Sequence, residues 1–167
     1  MLHLNHIIYL SVIMKILPKF FALLSLLLLE ACASPKPFTL VILPDTQYYS
    51  ATYPEIFEAQ TRWIADHADS IAFVLHHGDI TDNNSEEQWQ RAAKAMSIMD
   101  GKVPYAFVAG NHDLPGIAAN RETDLFNKYF PYAKYSQTPN FGGAFEEGRM
   151  DNVWYTFKAG GTKWLVL

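Results

Sequence analysis

The sequence predicts an α/β fold, and three observations support this prediction. Apolar runs typical of buried strands alternate with segments whose apolar residues recur at helical spacing. The strand-helix units are similar in length and follow one another directly, which favours parallel strands joined by crossover helices. Finally, 50% of the 167 residues are apolar, which is enough for the core of one ordinary domain.

The first elements of the predicted fold are two strands separated by a helix. Residues 38–43 are a continuous apolar run rich in β-branched side chains, and this pattern predicts a buried strand. Residues 55–69 carry apolar side chains at helical spacing, which indicates an amphipathic helix. Residues 71–75 form a second apolar run, so we expect a second buried strand there.

A second helix and a third strand follow. Ser85 and Gln88 form a capping-box pattern, which predicts a helix that begins there and continues to about residue 99. Residues 103–108 form a third apolar run, and its strand is expected to begin after Pro104 because proline cannot donate to the ladder.

The last part of the chain has a different pattern. Residues 122–129 predict a short helix, and residues 132–151 predict an ordered surface loop because they are rich in Gly, Pro and Asn and have no period. Residues 153–157 and 163–167 are strand-like and are joined through Gly160 and Gly161, which indicates a hairpin.

The amino-terminal segment, residues 1–31, is typical of a secretory signal of the lipoprotein type. An almost unbroken apolar run follows Lys15 and Lys19 and ends just before Cys32, the only cysteine. The residues up to Cys32 resemble a bacterial lipobox, apart from Glu30, and predict lipid attachment at Cys32. A cleaved signal without a lipid and an uncleaved membrane anchor are the alternatives, although in an anchor the two lysines would be costly inside a bilayer.

This segment predicts where the protein lies. After the signal we expect a linker at residues 32–37 and a domain at residues 38–167. A lipid at Cys32 would hold that domain at the cell envelope, on the periplasmic or extracellular side, with the outer membrane as one candidate location. Because the chain has one cysteine, it offers no internal disulfide and no free catalytic thiol.

The charge distribution argues against nucleic-acid binding. The chain has 17 acidic and 13 basic residues and a formal net charge of −4, and its lysines and arginines are scattered. No basic patch is present in the sequence to attract a phosphate backbone. The composition leaves the oligomeric state open.

Polar clusters follow all three predicted parallel strands. The carboxyl ends of parallel strands line one crevice, so we expect the three clusters to converge there. An isolated Asp or Asn after a strand often only makes a turn or caps a helix. The clusters are Pro44-Asp45-Thr46-Gln47, His76-His77-Gly78-Asp79 and Gly110-Asn111-His112-Asp113.

The combined clusters predict a metal site. Two carboxylates, an amide and several histidines in one crevice would carry costly unpaired charge unless a cation compensated it. Carboxylate and amide oxygens and imidazole nitrogens are ligands for manganese, iron, zinc or magnesium ions. The identity of the metal remains open.

The order of these motifs resembles that of the calcineurin-like metallophosphoesterase family. The motifs are Asp-x-Gln, Gly-Asp-x-x-Asp-Asn and Gly-Asn-His-Asp, each after a strand, and the resemblance extends over residues 38–167. It implies a two-sheet sandwich flanked by helices. Because the sequence stops inside an apolar run, we expect this chain to be the amino-terminal portion of that domain, with the carboxyl-terminal part missing. The alternative is a natural domain whose last strand is buried.

The resemblance also implies ligands for two divalent metal ions. Asp45 and Gln47 would bind the first ion, Asp79 would bridge both ions, and Asn111 would bind the second. Gln47 stands where the commonest family pattern has histidine, and a neutral amide oxygen is a weaker ligand than imidazole.

The same resemblance assigns catalytic roles at the third motif. His112 would stabilise the transition state or protonate the leaving oxygen, and Asp113 would orient its imidazole. We interpret His76 and His77 as packing residues or as neighbours that orient metal ligands. Asp82 is expected to shape the loop before the second helix.

The function implied by the resemblance is metal-dependent hydrolysis of phosphomonoesters or phosphodiesters by a metal-activated hydroxide. The family supplies three more histidines from later strands, and none follows His112 here, so the 167-residue chain alone is expected to be inactive. The alternative is a lipid-anchored, non-catalytic binding module that keeps the fold. The sequence contains neither a Gly-x-Ser-x-Gly elbow nor a phosphate-binding loop ending in lysine.

Overall fold

The computed structural model of the protein describes residues 17, 18, 21, 36–116 and 122–167. The chain divides into a leading unit, Met1–Lys36, and a second unit, Pro37–Leu167. Cys32 lies outside the described residues, as does nearly all of the expected signal segment. No helix in the described part of the chain is both long and apolar enough to cross a bilayer.

The first sheet of the second unit contains three parallel strands in the order β1, β2, β3. In the register of these strands, Leu43 pairs with His76, and His76 pairs with Phe107. The three strands therefore end side by side, as the apolar runs predict. Their bounds are β1 Thr39–Leu43, β2 Ile71–His76 and β3 Tyr105–Phe107.

Three helices connect these strands. A short helix, α1, follows β1 directly, and it was not expected from the sequence. The next helix begins with Pro54, whose fixed φ suits the first turn of a helix, and buries Phe57 and Ile64. The third helix buries Trp89 and Met96. The helices are α1 Gln47–Ala51, α2 Pro54–Asp66 and α3 Glu86–Ser97.

The expected capping box at the start of α3 is corrected by the structure. Ser85 occupies the N-cap position but makes no side-chain cap hydrogen bond. Gln88 instead accepts hydrogen bonds through Oε1 from the backbone N–H groups of Asp82, at 2.8 Å, and Asn83, at 3.1 Å. The glutamine therefore orders the loop that leaves β2.

The second sheet is antiparallel and has the strand order β4, β5, β6. Its hairpin between β5 and β6 is confirmed, and Gly160 and Gly161 form the turn with φ values of 58° and 77°. Positive φ at both turn positions is the conformation that favours glycine. The remaining elements are α4 Asp124–Tyr129, α5 Tyr132–Tyr135, β4 Phe141–Ala144, β5 Val153–Ala159 and β6 Thr162–Val166.

The prediction of a loop at residues 132–151 was wrong, because α5 and β4 lie within it. Strand β4 contains Gly142 and Gly143, which have no side chains and so do not produce the apolar pattern that predicts a strand. The Trp154 indole covers both: a Cβ on Gly142 would lie 2.3 Å from its Cδ1 atom. The neighbouring strand thus supplies the side chain that β4 lacks.

The two sheets pack face to face through aromatic side chains. Phe73 of β2 stacks on Phe157 of β5 with ring centroids 4.5 Å apart, and its ring lies 6.4 Å from that of Tyr155. All three residues are buried. This arrangement confirms the predicted two-sheet α/β architecture.

Candidate metal centre

The three motif loops begin at the common end of β1, β2 and β3. The backbone N–H of His77 donates a hydrogen bond of 3.0 Å to the carbonyl of Leu43, which extends the contact between the first two strands to the loops. Asp45 follows β1, Asp79 follows β2 and Asn111 follows β3. The parallel sheet therefore places the predicted ligands at one edge.

The loops after β2 and β3 contact each other backbone to backbone. A Cβ on Gly78 would lie 2.7 Å from the Gly110 nitrogen, and a Cβ on Gly110 would lie 2.1 Å from Asp79 Oδ1. Only glycine fits either position. The backbone N–H of His112 donates a hydrogen bond of 3.0 Å to Asp79 Oδ1, so the second and third motifs meet at this carboxylate.

Asp79 has an uncommon backbone conformation. Its φ is 47°, in the left-handed region, and Gly78 before it has a φ of 91°. Non-glycine residues in this region carry strain that the surrounding structure must hold, and such residues cluster at functional sites. The strained backbone of Asp79 is consistent with a carboxylate that must point in one direction to bind its ligand.

The expected role of Asp113 as the partner of the His112 ring is corrected. Asp113 is fully buried, and Oδ2 accepts hydrogen bonds from the backbone N–H groups of Gly110, at 2.9 Å, and Ile80, at 3.0 Å. Oδ1 accepts from the backbone N–H and the hydroxyl of Thr81, at 2.7 and 2.9 Å. The carboxylate therefore joins the loops after β2 and β3.

Burial raises the pKa of the Asp113 carboxyl above its ordinary value, against the opposing effect of the hydrogen bonds from Gly110, Ile80 and Thr81. Desolvation disfavours the charged carboxylate, and the donated hydrogen bonds restore part of the lost solvation. The surroundings of Asp113 therefore indicate a structural role, because its carboxylate is buried and does not face a substrate.

The His112 ring is oriented by Asp82, a residue that the sequence analysis assigned only to loop shape. His112 Nδ1 lies 2.7 Å from the Asp82 backbone oxygen and 3.8 Å from its carboxylate Oδ1. Since a carbonyl only accepts, Nδ1 carries a proton and Nε2 has the lone pair of the neutral ring. The sequence feature that could have revealed this role is the position of Asp82 in the Gly-Asp-x-x-Asp-Asn motif.

The pKa of the His112 imidazole is raised above its ordinary value. The main cause is the hydrogen bond to the Asp82 backbone, and the negative charges of Asp79, Asp82 and Asp113 act in the same direction. These contacts favour the imidazolium form. His112 is therefore equipped to donate a proton.

The first motif contains an unsatisfied buried group. Gln47 Oε1 is buried and has no hydrogen-bond partner in the described part of the chain. A buried carbonyl oxygen without a partner costs about 1 to 3 kcal/mol. A cation at this position would supply the missing partner, so the residue fits the metal-ligand role that its motif indicates.

The other expected ligands are two exposed residues and a half-buried one. Asp45 and Asn111 are exposed, and Asp79 is half-buried. Within residues 36–116 and 122–167, no three His, Cys, Asp or Glu side chains form a group that could hold a metal ion. Two of the four expected ligands are amides, and the full set of carboxylate and amide oxygens suits a hard divalent cation.

The two histidines at the end of β2 have different surroundings. His76 is buried, with Nε2 at 2.9 Å from Thr46 Oγ1, while the His77 side chain is exposed. Burial lowers the pKa of His76 to about 3, and the neighbouring His77 acts in the same direction. The packing interpretation is confirmed for His76 alone.

Comparisons with known proteins identify the family. The calcineurin-like phosphoesterase family model matches residues 38–166. The Uncharacterized protein YvnB of Bacillus subtilis (strain 168) is 37% identical over 116 residues, which are 67% of this chain and only 9% of that protein. Purple acid phosphatase PPD1 from yellow lupin (Lupinus luteus) seeds aligns with 76% of this chain and 24% of its own, at 21% identity and a TM-score of 0.42. Since the family model covers almost all of the second unit, Pro37–Leu167, the chain belongs to the calcineurin-like phosphoesterase family, as its three motifs indicate.

Proposed function

We propose that the full-length protein hydrolyses phosphate esters with two divalent metal ions bound at the common end of β1, β2 and β3. The observation that carries this proposal is the buried Oε1 of Gln47 in the first motif, which has no hydrogen-bond partner among the residues that the structure describes. An oxygen without a partner at the end of a parallel sheet favours a cation over a purely structural loop.

The chain provides ligands for both ions. Asp45 and Gln47 would hold the first ion, Asp79 would contact both, and Asn111 would hold the second. When bound, two such ions lower the pKa of a water molecule and neutralise the charge of the phosphate oxygens. The left-handed backbone of Asp79 and its hydrogen bond from His112 keep the bridging carboxylate in one orientation.

His112 is the residue that we assign to the leaving group. The Asp82 carbonyl holds Nδ1, so the opposite ring nitrogen, Nε2, is the atom that would donate a proton to the departing oxygen. The raised pKa of His112 keeps that proton on the ring at higher pH than usual. Monoesters and diesters both fit this chemistry.

The isolated 167-residue chain is a separate case. Its four proposed ligands offer only oxygen atoms, so we expect weak metal binding and no hydrolysis above background from this chain alone. A non-catalytic binding module with the same fold is the second candidate function. Full-length protein that binds a phosphate ester with metal present, but does not hydrolyse it, would favour that candidate.

Replacement of Asp79 by Asn in the full-length protein tests the assignment. The amide keeps a hydrogen-bond acceptor for the His112 N–H but lacks the charge needed to hold two cations, so metal content and aryl phosphate hydrolysis should both fall to background. Asp69→Asn is the matched control, because Asp69 is exposed and lies before β2, at the opposite end of that strand. An Asp79→Asn variant that retains two metal ions and activity would refute the assignment.

We also propose that the protein is held at the cell envelope by a lipid on Cys32. A Cys32→Ser variant expressed in a bacterial host should lose the lipid and should be soluble or retained by an uncleaved signal. Mass spectrometry of the wild-type amino terminus is the direct measurement. Unlipidated wild-type protein cut at another position would contradict this proposal.

A further inference from the structure

The end of β2 carries a buried imidazole that the proposed chemistry does not use. His76 is 2% exposed, and Thr46, its partner, is 1% exposed. His76 Nε2 lies 2.9 Å from Thr46 Oγ1, and the backbone N–H of Gly78 donates to His76 Nδ1 at 3.2 Å. The Phe57 ring of α2, 6.0 Å from the imidazole between centroids, covers it from the helix layer.

The direction of each hydrogen bond follows from the groups involved. An amide N–H only donates, so Nδ1 is the acceptor and the proton of the neutral ring lies on Nε2. Nε2 therefore donates to the Thr46 hydroxyl, which in turn donates to the carbonyl of Ile80 at 3.4 Å. Ser50 donates to the same carbonyl at 2.6 Å. The bonds form one buried path from the loop after β1 to the loop after β2.

This path joins the residues that neighbour the proposed metal ligands. Thr46 lies between Asp45 and Gln47, and Gly78 directly precedes Asp79. The imidazole thus contacts both loops without occupying a ligand position. Its two ring nitrogens therefore bond one residue on each side, Thr46 in the loop that would hold the first ion and Gly78 beside the carboxylate that would bridge both.

We propose that His76 is a positioning residue that sets the spacing of the metal ligands on the first and second motif loops through Thr46 and Gly78. This inference rests on the proposed two-metal function. It assigns to His76 and Thr46 a role in metal affinity, in addition to their role in packing. Residues that orient metal ligands typically change metal affinity about 10-fold to 100-fold when they are replaced.

The test compares variants of the full-length protein by calorimetric titration with Mn²⁺. His76→Leu removes both ring hydrogen bonds, and Thr46→Val removes only the hydroxyl while it keeps the side-chain shape. Each should weaken Mn²⁺ binding by about 10-fold to 100-fold. Thr46→Ser retains the hydroxyl and should restore wild-type affinity.

The matched control is Thr61→Val. Thr61 is also fully buried, but its hydroxyl donates within α2 to Phe57 and Glu58, at 3.1 and 3.2 Å. This variant should lower the melting temperature without a change in Mn²⁺ affinity. Equal weakening of Mn²⁺ binding in Thr61→Val and Thr46→Val would show that the effect is general destabilisation, and would overturn the inference.

A second measurement separates this inference from the proposed function. Amide hydrogen exchange in the metal-free Thr46→Val and His76→Leu variants should show loss of protection at Gly78, at His77, whose N–H donates to the Leu43 carbonyl, and at Ser50, whose N–H donates to the Thr46 carbonyl. Protection in β5 should stay at the wild-type level. Wild-type protein that binds no Mn²⁺ would refute the proposed function, and the exchange data would then decide the inference alone. Unchanged protection at Ser50 and His77 in both variants would overturn it.

Discussion

The backbone N–H of His112 donates a hydrogen bond of 3.0 Å to Oδ1 of Asp79, which joins the second and third motifs directly. The proposed proton donor and the proposed bridging ligand are therefore fixed to each other by main-chain geometry. A carboxylate has two oxygens and about four acceptor positions, so this bond leaves the other positions available for cations.

His112→Asn should separate proton transfer from metal binding. The asparagine side chain is long enough to keep a donor near the Asp82 carbonyl, but it has no group that titrates near neutral pH. We expect hydrolysis by the full-length protein to slow by about 10² to 10⁴, with metal content nearly unchanged. Metal analysis and steady-state kinetics on the same sample test this prediction. Equal loss of metal and rate would mean that His112 is a ligand.

Gly110→Ala should displace Asp79 by steric contact. The added Cβ would lie 2.1 Å from Asp79 Oδ1 and 2.3 Å from the Asp79 nitrogen, so the two loops must separate. We expect loss of metal affinity together with a lower free energy of unfolding. Gly101→Ala is the control: its φ is 68° and no atom lies within 4 Å of the added Cβ, so it reports backbone strain alone. Similar metal affinity in both variants would contradict the predicted displacement.

Asp113→Ala should strongly destabilise the metal-free protein. It leaves the N–H groups of Gly110, Ile80 and Thr81 without their acceptor, and each unpaired buried donor costs about 1 to 3 kcal/mol. We expect the free energy of unfolding in urea to fall by about 3 to 5 kcal/mol. Thr81→Val removes only the hydroxyl, which donates to Asp113 Oδ1 at 2.9 Å and more weakly to the His112 carbonyl at 3.5 Å, and should cost about 1 kcal/mol. Equal effects of the two variants would contradict the role of the Asp113 carboxylate in joining the loops after β2 and β3.

His76 should make the protein sensitive to acid. Its pKa is lowered from 6.5 to about 3 in the folded protein, so between these values the unfolded chain binds one more proton than the folded one. The contribution of neutral His76 to the free energy of unfolding is therefore fully present above pH 6.5 and is lost as the pH falls towards 3. The contribution to the slope should approach about 1.4 kcal/mol per pH unit well inside this range.

Urea unfolding of His76→Gln at several pH values measures that contribution, because glutamine does not titrate. The variant should lose stability less steeply than the wild type as the pH falls. His67→Gln removes an exposed imidazole and serves as the control. If the slope of His76→Gln matched that of the wild type, His76 would have to be protonated in the folded protein.

Whether an element could be predicted depended on the pattern of side chains in its sequence. Strands β1 to β3 could be predicted because buried parallel strands are continuous apolar runs, and the register of Leu43, His76 and Phe107 confirms the shared edge. Strand β4 could not, since Gly142 and Gly143 have no side chains and depend on Trp154 of another strand.

The sequence motifs predicted where the site lies, but they did not predict the hydrogen-bond partners of its residues. The motif loops meet where the parallel strands end. The partners of Asp113, however, are mainly backbone N–H groups, which carry no residue identity for a sequence to reveal. The same is true of the Asp82 carbonyl that binds the His112 ring. Buried polar pairs such as Thr46 and His76 were equally hidden, because neither residue type has a fixed partner.

The contacts that tie the three motif loops together share a narrow range of sequence separations. Each of these hydrogen bonds to the neighbouring loop joins positions 30 to 34 residues apart. The residues that make them are Thr46, Ser50, Asp79, Asp113 and His112. Loop-closure entropy grows slowly with loop length, so every bond of this frame closes a loop of similar entropic cost. During synthesis on the ribosome, which releases the chain from its amino terminus, this frame can close once Asp113 has emerged and before the second sheet exists.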